Sequence, residues 1–250
     1  MKKLAIIGGN GMVGSDLVAS LGSPFAITRS NYDSYKGRKF DVVVNANGNS
    51  KRYWANEHPL EDFVASTVSV YNSIVDFPCD TYIYLSSPDV YEQHDSPHVT
   101  KETGVVNPKN LTPYGFHKYL SELIVQKYTK KFLILRCSLM LGTKLTKGPF
   151  YDVLHNNPLF ISTSSRLQLI STKALADVIV KLLQSDVRGD IFNVGGVGTF
   201  PFSKIKSYFD RKISISSRAE RQIYEMNVSK LKQLFPTLKS SEEYLQEFVV

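Results

Sequence analysis

Tyr114 and Lys118 stand four residues apart in Thr112-Pro113-Tyr114-Gly115-Phe116-His117-Lys118, where Pro113 suits the start of a helix. Residues at that interval share a helix face, so the phenol and the ammonium can point into one pocket. A free tyrosine titrates near ~10 and a neighbouring cation favours phenolate, which suits the pair to proton transfer at an alcohol or ketone oxygen. Upstream, the apolar run Tyr82-Ile83-Tyr84-Leu85 passes into Ser86-Ser87-Pro88-Asp89-Val90-Tyr91. Open α/β sheets collect ligands at strand carboxyl ends, and the Ser87 hydroxyl could hold the same oxygen there. Alone, Tyr-x-x-x-Lys describes many exposed helix faces, and serine is as often a cap or a loop residue. A glycine loop near the amino terminus gives the pair its weight.

Gly8-Gly9-Asn10-Gly11-Met12-Val13-Gly14 directly follows the apolar run Leu4–Ile7 and opens a predicted helix. Glycine permits positive φ and close backbone approach, and a helix amino terminus meets the charge of a pyrophosphate. Gly8, Asn10, Gly11, Met12, Val13 and Gly14 are therefore expected to cradle a dinucleotide. The second strand ends Ala26-Ile27-Thr28-Arg29, with no acid before Asp33. A carboxylate there would bind a free ribose 2′-hydroxyl, whereas arginine accepts a 2′-phosphate. NADP(H) is expected, with NAD(H) as the alternative; Arg29 stacked on adenine or facing solvent is the competing reading.

These residues need a scaffold, and the sequence supplies one. Short apolar runs at Leu4–Ile7, 25–28, 42–45, 82–86, Phe132–Cys137 and 191–194 read as buried strands. Segments 11–21, 59–75, 113–130 and 172–183 carry apolar residues at helical spacing. The alternation predicts an α/β fold, a doubly wound parallel sheet of the Rossmann type. Residues 29–41 are too few for a helix plus a strand, so one unit is abbreviated. Residues 142–167 read as loop and 193–250 as short helices, which predicts a small α-rich carboxyl-terminal substrate lid. The expected units are a dinucleotide-binding core, 1–141 with 169–195, and a lid, 142–168 with 196–250.

The chain of 250 residues carries a formal charge of +7, but its Lys and Arg are scattered rather than gathered into a basic arm. Nucleic acid is not an expected partner; a positive pocket for a polyphosphorylated small molecule is. The longest apolar stretch, 132–141, contains Arg136 and is about half of a membrane span. The amino terminus reads straight into a strand, so a cytoplasmic protein is expected. Cys79 and Cys137 lack metal or redox spacing and read as buried thiols, with no metal site expected.

Together these features make the sequence similar to the extended short-chain dehydrogenase/reductases, also called the NAD-dependent epimerase/dehydratase family. The carrying motifs are the glycine loop, Asn45-Ala46-Asn47-Gly48, Ser86-Ser87-Pro88-Asp89-Val90-Tyr91, Tyr114 to Lys118, Leu135-Arg136-Cys137-Ser138 and Ile191-Phe192-Asn193-Val194-Gly195-Gly196. The resemblance implies that Ser87 and Tyr114 grip the reacting oxygen, that Lys118 holds the nicotinamide ribose, and that Asn47 and Gly48 line the cofactor. His117 is expected to be structural. Family dehydratases place an Asp-Glu pair after the catalytic hydroxyl residue, whereas this chain has Pro88-Asp89, and Ser66 replaces a common helix asparagine. Asp89 is expected either as a substrate-side acid/base or as a solvated loop carboxylate.

The expected activity is NADPH-dependent reduction of a nucleotide-linked 4-keto-6-deoxy sugar, with Arg136, Arg166, Arg218 and Arg221 as candidates for its diphosphate. The alternatives are an epimerase that retains NAD and a non-catalytic dinucleotide-sensing protein. The resemblance also implies a possible homodimer through the helix carrying Tyr114 and the helical segment preceding it.

Overall fold

Neighbouring residues of the central strands bury on opposite sides, which is why these strands read as unbroken apolar runs. Leu133 and Leu135 join Ile83 and Leu85 in one core, while Ile134 joins Tyr82 and Tyr84 in another. The computed structural model describes residues 3–249; positions 1–2 and 250, the outer bounds of the two expected units, lie outside the described residues.

The strands are β1 (Leu4–Ile7), β2 (Phe25–Ile27), β3 (Phe40–Asn45), β4 (Cys79–Ser86), β5 (Phe132–Cys137) and, after a lid segment, β10 (Asp190–Val194). They form a six-stranded sheet in the order β10-β5-β4-β3-β1-β2, and every pairing is parallel. Helices α1 (Met12–Ser20) and α7 (Thr172–Gln184) cover one face. The other is covered by α5 (Pro113–Tyr128) and by a stretch comprising α2 (Arg52–Glu57), α3 (Pro59–Phe63), a π turn (Val64–Val68) and α4 (Ser69–Asp76). Between β2 and β3 stands only a single 3₁₀ turn, Asp33–Tyr35, as the short spacing requires. The strand order reverses at β1, and there the loops after β1 and β3 touch: a Cβ on Gly8 would lie 3.0 Å from the Ala46 carbonyl oxygen. Such a switch point is where sheets of this kind open a ligand crevice.

Beyond the central sheet a second apolar cluster forms, in which Phe150, Phe200, Phe202 and Phe209 pack with Leu159 and Leu245; it lies in the segments expected as a lid. Around it stand α6 (Pro149–Leu154), α8 (Ile205–Tyr208) and, through Leu245, α10 (Ser241–Val249), whereas Leu231 of α9 (Ser229–Leu234) and Tyr244 of α10 pack in the core of the central sheet. Short strands accompany them: β6 (Leu139–Leu141) pairs with β9 (Leu169–Ser171), β7 (Leu159–Ile161) with β12 (Ile215–Glu220), and β8 (Arg166–Leu167) with β11 (Phe200–Pro201) and β13 (Ile223–Tyr224). The loop expected over 142–167 thus holds strands of two or three residues, too short to leave a period-two signature. Both cysteines are free, and burial pushes their thiols up to about 12. No helix among the described residues is long and apolar enough to cross a membrane.

Asp16 on α1 ties the core to the segment that leads into the lid. It accepts the Thr143 N–H at 3.0 Å, the Thr172 hydroxyl at 2.7 Å and the Thr143 hydroxyl. Asp16→Ala leaves these donors unpaired and is expected to lower unfolding free energy by roughly 1.5–3 kcal/mol in urea titration; an unchanged midpoint would show that the tie contributes nothing.

Candidate active site

Two elements bring the chemistry together: the carboxyl end of β4, with Ser87 and Asp89 just beyond it, and the first turns of α5. Thr112 caps α5 by accepting the Gly115 N–H at 3.3 Å. Gly115 is required for contact rather than for its dihedral angles, since a Cβ there would fall 2.1 Å from the Asp89 carbonyl oxygen. The close approach places Tyr114 and Lys118, 7% and 6% exposed, beside Ser87. The Lys118 ammonium donates to the Leu85 carbonyl at 3.2 Å and lies 5.1 Å above the Tyr84 ring. It also lies against Gly48, whose Cβ would be 3.8 Å from Nζ.

Burial pushes the Tyr114 phenol above its ordinary range; the Lys118 charge and the Ser87 hydroxyl pull it down, and Asp89 and Tyr84 oppose them. The expected influence of Lys118 is present, and desolvation outweighs it. The phenol therefore keeps its proton near neutrality and is poised as an acid.

Behind these residues lies a buried ion pair. Arg136 on β5 donates from Nε to Glu122 Oε1 at 3.0 Å and from Nη2 to Oε2 at 2.7 Å, and the Ser86 hydroxyl donates to Oε1 at 2.5 Å. Arg136, expected as a contact for a substrate diphosphate, is 2% exposed and commits Nε and Nη2 to Glu122, while its Nη1 is buried without a hydrogen-bond partner. His117 Nδ1 donates to the Asp62 carboxylate at 2.6 Å, which also accepts the Asn49 amide at 2.8 Å and the Ser66 hydroxyl at 3.3 Å, a contact consistent with a structural role.

Asp89 is not a solvated loop carboxylate. It accepts the Ser87 hydroxyl at 2.7 Å, Arg52 Nη1 at 3.2 Å and the Tyr224 hydroxyl at 3.1 Å. Tyr224 comes from β13 in the lid and stacks on His94 at 3.8 Å between ring centres. Arg52 and Tyr224 carry no motif, and only the fold reveals them. Arg166 pairs with Ile223, so it projects from the sheet face opposite to Tyr224. Arg166, Arg218 and Arg221 are exposed, and the structure does not bring their side chains into polar contact with Ser87, Tyr114 or Lys118.

A cleft of about 670 Å³ runs along the switch point, lined by Gly8, Arg29, Asn47, Gly48, Trp54 and Ser69 among others. Its glycines fit a dinucleotide. Gly8 has φ +82°, a Cβ on Gly14 would fall 2.1 Å from the Gly8 carbonyl oxygen, and Gly11 leaves the α1 amino terminus without a side-chain cap. Asn10 is exposed and Met12 and Val13 half-buried on that loop. At the far end the Asn31 side chain accepts the Thr28 N–H at 2.7 Å and donates to the Ala26 carbonyl at 3.0 Å, folding the turn that presents Arg29. Arg29 has no ion-pair partner among the described residues, whereas Asp33, which lines the same end, is 2.9 Å from Lys36.

Residues 4–195 match the model of the NAD dependent epimerase/dehydratase family. The chain belongs to that family. No curated protein matches it in sequence. Among solved structures it is similar to the dTDP-4-dehydrorhamnose reductase of Bacillus anthracis in complex with NADP, at 18% identity and a TM-score of 0.79, covering 99% of this chain and 98% of that one. It is similar also to RMD of Pseudomonas aeruginosa complexed with NADPH, at 16% identity and a TM-score of 0.78, covering 100% and 98%. The UDP-glucuronic acid 4-epimerase of Bacillus cereus, in complex with UDP-glucuronic acid and NAD, aligns at 17% identity and a TM-score of 0.73, covering 98% of each chain. At these identities the likeness establishes the fold, and this epimerase/dehydratase family member shares it from end to end.

Arg136→Ala strands the Glu122 carboxylate in the interior and is expected to cost about 3–5 kcal/mol of stability by urea denaturation. A stable variant with selectively weakened substrate binding would return Arg136 to the substrate.

Proposed function

We propose that the protein is an NADPH-dependent reductase of a keto group on a nucleotide-activated sugar of the 4-keto-6-deoxy class, of the kind used in polysaccharide precursor synthesis. The observation that carries this reading is the meeting of Ser87, the protonated Tyr114 phenol and Lys118 at the carboxyl end of β4, beside the glycine-lined cleft. When bound, a reduced nicotinamide supplies the hydride to the keto carbon. Tyr114 gives its proton to the keto oxygen, Ser87 steadies that oxygen, and Lys118 holds the ribose and stabilises the tyrosinate left behind. The product is the corresponding alcohol.

Arg29, presented at the adenosine end of the cleft without an ion-pair partner among the described residues, supports a 2′-phosphate and hence NADP(H). The NADP- and NADPH-bound reductases of the same fold add support. An epimerase that retains NAD is the second reading; it draws on Asp33 in the same cleft, but that carboxylate is already engaged by Lys36. Arg221 and Arg166 remain proposed contacts for the nucleotide, since Arg221 adjoins Gln222, whose carbonyl accepts the Arg166 N–H at 2.9 Å. A homodimer is proposed through α3, the π turn after it, α4 and α5, where Leu60, Val64, Val75, Leu123 and Tyr128 are exposed.

Tyr114→Phe removes the acid and keeps the ring. NADPH oxidation on a dTDP-4-keto-6-deoxyhexose is expected to fall by about 10²–10⁴-fold with cofactor affinity nearly unchanged. Retained turnover would remove Tyr114 from the mechanism and the reading with it.

A further inference from the structure

Four cationic side chains stand near one another at the candidate active site with few carboxylates to answer them. Lys147, on the segment between Gly142 and α6, is half-buried and reaches across to donate to the Ser50 carbonyl. Near it are Lys51, which lines the dinucleotide cleft, Arg52 from α2, which does not, and Lys118 from α5. The carboxylate among the catalytic groups, Asp89, is taken up by Arg52, Ser87 and Tyr224. Desolvation and these three cations pull the Lys147 ammonium down to about 8. A half-buried ammonium held among like charges, with a backbone carbonyl as its partner, is unfavourable until an anion joins it.

We propose that Lys147, with Arg52, forms an anion-recognition site for the substrate beside the candidate catalytic residues. This rests on the reading of Ser87, Tyr114 and Lys118 as the catalytic residues, and it adds that the substrate carries an oxyanion close to them. Two sources share that chemistry: the diphosphate of a nucleotide-activated sugar and a carboxylate on the sugar itself. Arg52 places the cluster on the substrate side, because it binds Asp89, which in turn holds Ser87. The segment carrying Lys147 is anchored by Asp16 through Thr143, so the ammonium is delivered by a tethered loop. Neither Arg52 nor Lys147 belongs to the motifs that marked the rest of the site.

The test is acetylation of NADPH-loaded protein by acetic anhydride, read at Lys147 by mass spectrometry, with inorganic pyrophosphate, malonate or dTDP-glucose as the probe. Lys39, paired with Asp80 on the surface, is the internal control. Pyrophosphate or malonate is expected to slow labelling of Lys147 severalfold and leave Lys39 unchanged; protection by pyrophosphate assigns the diphosphate, and protection by malonate alone assigns a sugar carboxylate. Lys147→Met should weaken binding of the protecting anion about tenfold or more and Lys147→Arg should restore it. Wild-type affinity should fall as the pH rises through about 8, where Lys147 loses its proton, while Lys147→Arg stays flat. Equal labelling with and without both anions overturns the proposal, as does full protection by NADPH alone, which would assign the cluster to the cofactor. If either anion protects and dTDP-glucose does not, the anion site stands and the nucleotide-sugar reading falls.

Discussion

A carboxylate on a helix, a guanidinium on one strand and a hydroxyl on the next meet inside the protein, and the placement of the catalytic groups depends on that meeting. Glu122 lies on the same helix as Tyr114 and Lys118, Arg136 on β5, and Ser86 one residue before Ser87; Ser86 and Arg136 are register partners across the sheet. Breaking such a buried pair would be strongly destabilising. Nε and Nη2 of Arg136 and both oxygens of Glu122 are paired here, with Nη1 left without a partner, and this pairing sets α5 against the end of β4. Gly115 completes the fit by admitting the Asp89 carbonyl where any Cβ would collide.

Desolvation then decides the protonation of the site. The same burial that fixes Tyr114 raises its pKa, and the nearby ammonium offsets this only in part. The outcome is a proton donor beside a cation, suited to receiving the negative charge that develops on a keto oxygen during reduction. Arg52 and Lys147 stand near Lys118, and the proposed role of that positive charge is to meet an anionic ligand.

Much of this was legible in the sequence because its physics is local. Strands buried on both faces appear as apolar runs, a helix puts Tyr114 and Lys118 on one side by spacing alone, and the glycine loop is contiguous. The illegible parts are those that depend on distant partners. Nothing in Arg136 distinguishes a diphosphate ligand from a structural ion pair, and its partner stands 14 residues away on another element. Asp89 meets Tyr224 across 135 residues, so neither its engagement nor the role of Tyr224 has a local signature. Most strands outside the central sheet are too short to show a period, and the six-residue β12, in a stretch expected to be helical, is polar and largely exposed and so carries no apolar alternation. Lys147 reads as one lysine among many until the fold sets it among three other cations.

The central claim is net reduction with a 2′-phosphorylated cofactor, and calorimetric titration of cofactor-stripped protein with NADPH and NADH under identical conditions tests it most directly. NADPH is expected to bind at least about tenfold more tightly, a difference of about 1.4 kcal/mol. Equal or tighter binding of NADH, or NAD carried through purification, would contradict the account and give precedence to an epimerase.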